Sequence, residues 1–181
     1  MSSTGMTHLT ILLKNLSFYN ALHALCILVE VLENKEENVK LIQTLSDTDG
    51  TLEGPIDLDI NNMKVMELDP LEWTDISTPP RKLKITNTGY TVILSAKWQQ
   101  DIRPYISGGP FTVNYVFSQV HFHWGENEMT GSEHTIDGGN MPMEVHVVLF
   151  RDEYESLELA LRRPNGVSVI VYFCKVSNQN T

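Results

Sequence analysis

The sequence predicts a mostly β protein with some α, in which a helical N-terminal segment precedes one central sheet. Three observations carry this expectation. Residues 9–32 are rich in apolar side chains, with Leu12, Leu16, Leu22, Cys26 and Val29 near helical spacing. After Gly54 the texture changes to short runs of β-branched and aromatic residues broken by turn formers. In that second part, only residues 155–163 carry a convincing helical pattern.

The elements follow in order. Residues 33–40 are charged and fit a solvated helix face, and residues 46–54 (SDTDGTLEG) read as a linker. This divides the chain into a helical extension, residues 1–52, and a β domain, residues 53–181. Residues 56–60 alternate apolar and acidic side chains, while residues 63–68 and 83–85 fit short strands. Residues 90–94 (YTVIL) make a stronger one. Gly108, Gly109 and Pro110 punctuate the chain before a long run over 112–124. Strong strands are expected at 143–150 and 167–176. The second of these is apolar on both faces and is therefore expected in the middle of a large sheet. No internal repeat or low-complexity tract is visible.

Composition narrows the function. The chain has 181 residues, 41% hydrophobic and 20% charged, which suits a globular protein. Its formal charge of −10 disfavours nucleic acid and anionic membrane surfaces as partners. No apolar run reaches the ~18 residues of a membrane span. The first ten residues carry no Lys or Arg, and no clear cleavage site follows, so the cytoplasm is the expected compartment. Secretion is the alternative, and Asn15-Leu16-Ser17 would then be a glycosylation sequon. Cys26 and Cys174 are too few for a disulfide scaffold, and two buried small residues are expected instead of a pair.

The chemistry concentrates in a short stretch. Four of the six His residues lie between residues 121 and 146. His121 and His123 are two apart, so a strand points both to one face. His146 sits in the next strong strand. Adjacent strands lie ~4.8 Å apart, so three imidazoles can converge. Three neutral imidazoles without a fourth protein ligand are the donor set of a catalytic zinc site, where the metal acidifies a water in the open position. Gln119 and Glu144 each precede a histidine by two residues, and there they can accept the imidazole's other N–H. Two other readings compete. The histidines can be packed polar residues of a half-buried sheet face. His-x-His with Glu128 and a later His also partly resembles the cupin arrangement, which would favour iron or manganese.

At these residues the sequence resembles the α-carbonic anhydrases. The resemblance rests on Gly108, Gly109 and Pro110, on Tyr115, and on the run QVHFHWG at 119–125. It continues through GSEHT at 131–135, EVHVV at 144–148, and the stretch from Asn165 to Val176. Pro55-Ile56-Asp57 and Asn87-Thr88-Gly89-Tyr90 match two earlier segments. The family implies a largely antiparallel central sheet of the α-carbonic anhydrase type. It implies Zn2+ on His121, His123 and His146, with Gln119 and Glu144 behind them. It assigns Glu133 the role of orienting a threonine hydroxyl, and Val148 and Val169 an apolar wall for carbon dioxide. The implied reaction is hydration of carbon dioxide to bicarbonate, followed by proton export.

Several positions depart from the family pattern. Tyr90 stands where many members carry a proton-shuttling histidine, and a phenol relays protons poorly near neutral pH. Glu53-Gly54 replaces a Gln-Ser pair. The first fifty residues lack the family's aromatic-rich opening. The family also continues well beyond residue 181, and that later part supplies the threonine that Glu133 would orient. The domain is therefore expected to be C-terminally incomplete, with exposed strand edges and impaired turnover. The alternative to an enzyme is a zinc-holding or protein-interaction module derived from one, with a protein partner.

Overall fold

The computed structural model describes residues 54–62, 65, 67–99, 102–127 and 129–175. The expected N-terminal helix, Cys26, Asn15, Glu53 and Glu128 lie outside these residues. The described part is mostly β, with one short helix. Its strands are β1 (Asp57–Leu58), β2 (Asp69–Thr74), β3 (Lys82–Asn87), β4 (Val92–Lys97) and β5 (Tyr105–Gly109). They continue with β6 (Tyr115–Trp124), β7 (Thr135–Ile136), β8 (Gly139–Asn140), β9 (Met143–Arg151) and β10 (Val167–Cys174). The helix α1 (Leu157–Ala160) lies between β9 and β10.

Seven strands form the central sheet, and every pairing in it is antiparallel. The strand order is β10-β9-β6-β4-β3, and β5 with β2 joins the lower half of β6. β6 is the axis. Its first residues pair with β5, its middle pairs with β4, and its whole length pairs with β9. A small second sheet holds β1, β7 and β8, with β1 parallel to β7.

One face of the sheet carries the main core, built on Val92, Leu94, Phe117, Val120, Phe122, Val145, Val147 and Leu149. A smaller cluster of Val116, Val148, Phe150, Ala160 and Val167 covers one end of the opposite face, beneath α1. The rest of that face is polar and carries the histidines.

Four expectations are corrected. First, residues 167–174 do form a strand, but β10 pairs only with β9 and is an edge among the described strands. Val169 and Tyr172 on it are exposed. The two-sided apolar pattern reports a demand for cover, and it does not say how many neighbours a strand has. Second, the helix expected over 155–163 is four residues long. Ser156 caps it by accepting from Leu159 N–H at 3.4 Å. Its end tightens, with Arg162 and Arg163 N–H donating three residues back, and Pro164 then bars continuation.

Third, no strand occupies the described residues of 63–68, where Val65 is almost fully exposed. Pairing with β5 starts only at Asp69. Fourth, alternation over 56–60 yields only the two residues of β1 before a single 3-10 turn at Ile60–Asn62. Asp59 makes that turn by accepting from the N–H groups of Asn61 and Asn62. Strands β2 and β5 were not legible in the sequence. Pro70 lies inside β2, and Gly108 and Gly109 close β5 with positive φ, so local propensity argues against both.

Candidate metal centre

The site is written on β6 and β9, and a bulge decides which side of β6 it occupies. Phe117 pairs with Leu149, and Gln119 with Val148, so Ser118 is an extra residue on β6. Before the bulge, Tyr115 and Phe117 face the main core. After it, Val120, Phe122 and Trp124 face that core. The odd-numbered Gln119, His121 and His123 are thereby turned to the opposite face. If Ser118 instead continued the regular alternation, they would share the face of Phe117.

On β9 the alternation runs unbroken. Val145, Val147 and Leu149 face the core, and Glu144, His146 and Val148 face the site. Register then brings the rings together: His121 lies directly across from His146, and His123 across from Glu144. The ring centroids are 5.2 Å apart for His121 and His123, 5.0 Å for His121 and His146, and 4.5 Å for His123 and His146. One ring nitrogen from each lies within 4.8 Å of the others.

These imidazoles are suited to metal in their protonation as well as their position. Burial, then the neighbouring His146 and His123, pushes His121 down to about 3. Burial and His146 push His123 down to about 4. Both are therefore neutral at physiological pH and keep a lone pair to donate. His121 Nδ1 and His123 Nε2 are buried without a hydrogen-bond partner. Gln119 Oε1 is also buried and unpartnered, so the bond expected from Gln119 to His121 is not made.

Glu144 fixes the third ring. It is fully buried and sits against His146 Nε2. It also accepts from His134 N–H at 2.9 Å and contacts His134 Nδ1 at 2.6 Å. Burial pushes its carboxyl up, but the hydrogen bonds from His146 and His134 outweigh that and hold it below the usual range. An ionised carboxylate only accepts, so His146 carries its proton on Nε2 and keeps Nδ1 for a metal. His134, Glu144 and His146 also bring ligand atoms together. Hydrogen bonding accounts for that proximity, since Glu144 is enclosed and its partners are N–H donors.

The loop between β6 and β7 holds His134 and Glu133 in place. A Cβ at Gly131 would overlap the Pro142 carbonyl oxygen, so only glycine permits this approach. Ser132 ties the loop down: its N–H donates to Met141 O at 2.8 Å and its hydroxyl to His134 O at 2.6 Å. Asp57 braces the far end, accepting from Thr135 Oγ1 at 2.7 Å and Gly138 N–H at 2.9 Å. Glu133 Oε2 lies 3.3 Å from His123 Nε2, and partial burial raises the Glu133 carboxyl. The contact of His134 with Glu144 links residues ten apart and becomes visible only once this loop returns onto β9.

Three further sequence-selected residues lie on neighbouring elements. Tyr90 lies half exposed in the β3–β4 turn. Its neighbour Thr91 fastens that turn to β6 by donating to Phe122 O at 2.6 Å and accepting from Phe122 N–H at 3.1 Å, between the two histidines. Val148 is fully buried on the histidine face, and Val169 pairs with it across the strands. Val171, which sequence reasoning passed over, lies directly across from His146. Its signal was present in the alternation of β10, but register was needed to read it.

Comparison with known proteins points to one family. The sequence profile described as eukaryotic-type carbonic anhydrase matches residues 34–181. The chain is 36% identical to carbonic anhydrase 3 of Sus scrofa over 132 residues, covering 72% of this chain and 49% of that protein. It is 31% identical to carbonic anhydrase 1 of Oryctolagus cuniculus over 133 residues, 72% of this chain and 55% of that protein. It is 34% identical to carbonic anhydrase 6 of Bos taurus over 135 residues, 73% of this chain and 41% of that protein. The chain therefore belongs to the eukaryotic-type carbonic anhydrase family. It spans about half the length of the relatives it matches. The cupin arrangement gives way to this membership. No helix among the described residues is long and apolar enough to cross a membrane.

Proposed function

We propose that His121, His123 and His146 hold Zn2+ and that the centre serves the reversible hydration of carbon dioxide to bicarbonate. The observation that carries this is the convergence of three ring nitrogens within 4.8 Å, with the buried His121 and the partly buried His123 both held neutral. Zinc on such a donor set supplies Lewis acidity, which brings the pKa of a coordinated water to near neutrality. The chain's own residues do the rest. Glu144 orients His146 and raises its basicity as a donor, and the two His134 contacts hold Glu144 still. Val148, Val169 and Val171 present an apolar flank beside His146, which suits a small uncharged substrate. Gln119, whose Oε1 is buried and unpartnered, would support His121 by accepting from its other N–H. Tyr90 replaces a titrating relay with a phenol, so proton export relies on buffer.

Zinc-loaded protein is expected to retain about one metal per chain by elemental analysis. Carbon dioxide hydration, followed by stopped-flow with a pH indicator, is expected to be slow and buffer-limited. Failure to retain zinc would remove the reading altogether. Retained zinc without turnover would leave a zinc-holding module of the same family.

A further inference from the structure

Strand β6 is held from two sides, and by different means. On one side β9 pairs with it through the whole histidine stretch, His121 with His146 and His123 with Glu144. On the other, β4 pairs Ser95, Leu94 and Ile93 with Gln119, Val120 and His121, and the register stops there. The backbone groups of an antiparallel strand alternate between its neighbours, so those of Phe122, between the two histidines, turn toward β4. There the hydroxyl of Thr91, the residue just before β4, takes both. It donates to Phe122 O at 2.6 Å and accepts from Phe122 N–H at 3.1 Å. Thr91 is 2% exposed and Phe122 is fully buried.

Closing the β3–β4 turn does not need this hydroxyl, because Thr88 closes it. The N–H and the hydroxyl of Thr88 each donate to Thr91 O at 2.9 Å, and its oxygen accepts from Thr91 N–H at 3.0 Å. The Thr91 hydroxyl therefore acts across the strands. Losing it would leave a buried N–H and a buried C=O unpaired, midway between two side chains that must converge. The rings of His121 and His123 stand 5.2 Å apart. A metal bound at ~2.0–2.1 Å from each nitrogen tolerates little drift in that spacing.

We propose that Thr91 is a positioning residue of the metal centre: by pinning the Phe122 backbone, it sets the spacing of His121 and His123. This rests on the three-histidine zinc reading. It makes the turn that carries Tyr90 part of the frame of the centre. A residue that only fastened the turn would change stability and leave the coordination geometry alone.

The test compares Thr91→Val, which keeps the shape and removes the hydroxyl, with Thr91→Ser, which keeps the hydroxyl, both in the full chain. Zinc affinity is read by chelator competition, and geometry by the visible absorbance of cobalt-loaded protein. Urea unfolding of the metal-free variants separates lost stability from lost affinity. Thr91→Val is expected to bind zinc about tenfold or more weakly and to shift the cobalt spectrum. Thr91→Ser is expected to stay within about threefold of the parent and to keep its spectrum. Folded Thr91→Val with zinc affinity within about threefold of the parent and an unshifted spectrum overturns the proposal, as does an equal loss in Thr91→Ser. If Thr91→Val does not fold, the smaller Thr91→Ala takes its place under the same criteria. A parent that fails to retain zinc takes the three-histidine reading down first; a parent that retains it beside an indifferent Thr91→Val overturns this proposal alone.

Discussion

On one face of the β6–β9 pair, Val120, Phe122, Val145 and Val147 are at most 2% exposed and join the main core. On the other face, Gln119, His121, Glu144 and His146 are at most 8% exposed, and all are polar. The two sets alternate along the same strands, and burial means opposite things for them. Apolar burial stabilises by roughly 25 cal/mol per Å2. Polar burial costs free energy unless each group finds a partner. Glu144 has its partners, whereas Gln119 Oε1, His121 Nδ1 and His123 Nε2 have none. The histidine face thus holds an unrelieved cost that a metal would offset, while the apolar face holds the strands together.

The comparison can be broken most severely beside the bulge. Deleting Val120 turns His121 and His123 into the core if the bulge is kept, or puts Gln119 in the core place of Val120 if the bulge is absorbed. The expected loss is several kcal/mol, enough to abolish the cooperative thermal transition followed by circular dichroism. A sharp melt in the deletion variant would show that alternation along β6 does not set the faces.

The next test sets one face against the other. Phe122→Ala is expected to cost about 3–5 kcal/mol in urea unfolding and to leave any folded fraction able to bind zinc. His121→Ala is expected to remove zinc binding and to cost the metal-free protein less than Phe122→Ala does. The reverse ranking in metal-free protein would mean that the polar face carries the fold.

A smaller effect is expected at Glu144→Gln, which keeps the shape and removes the charge that His146 and His134 share. Zinc affinity should fall about 10–100-fold by chelator competition, with the stoichiometry unchanged. No change would show that His146 is oriented by packing alone.

The mildest lever is pH. The folded-state values of about 3 for His121 and about 4 for His123 lie below the usual 6.5, so the unfolded chain takes up protons first. Stability of metal-free protein should therefore fall as pH drops below about 6.5, and should keep falling until His123 and then His121 are protonated in the folded state. Urea midpoints across this window should decline, and less steeply in His121→Gln. A flat profile would show that these rings are not held neutral by the fold.

Much of this centre was legible locally. His-x-His and Glu-x-His each place two side chains on one face of a strand, because alternation is a property of the extended backbone itself. Gly108, Gly109 and Pro110 marked the break before β6. What escaped was non-local. Strand β2, with its internal proline, exists because β5 pairs with it. β10 has an apolar pattern on both sides yet one partner among the described strands. The short α1 ends where Pro164 forbids continuation, although its helical pattern ran from residue 155 to 163.

The sequence by itself determined the family, the three imidazoles and the spacing that pairs them, because ligand chemistry and strand alternation are encoded within a few residues. The tertiary structure decided the face those imidazoles occupy, through the Ser118 bulge. It also decided the partners of Glu144, through the register of β6 with β9 and the return of the 131–134 loop, and it placed Glu133 against His123. Each of these depends on which strand lies beside which, and at what offset. Such offsets are set by burial summed over the whole sheet and by no single segment of it.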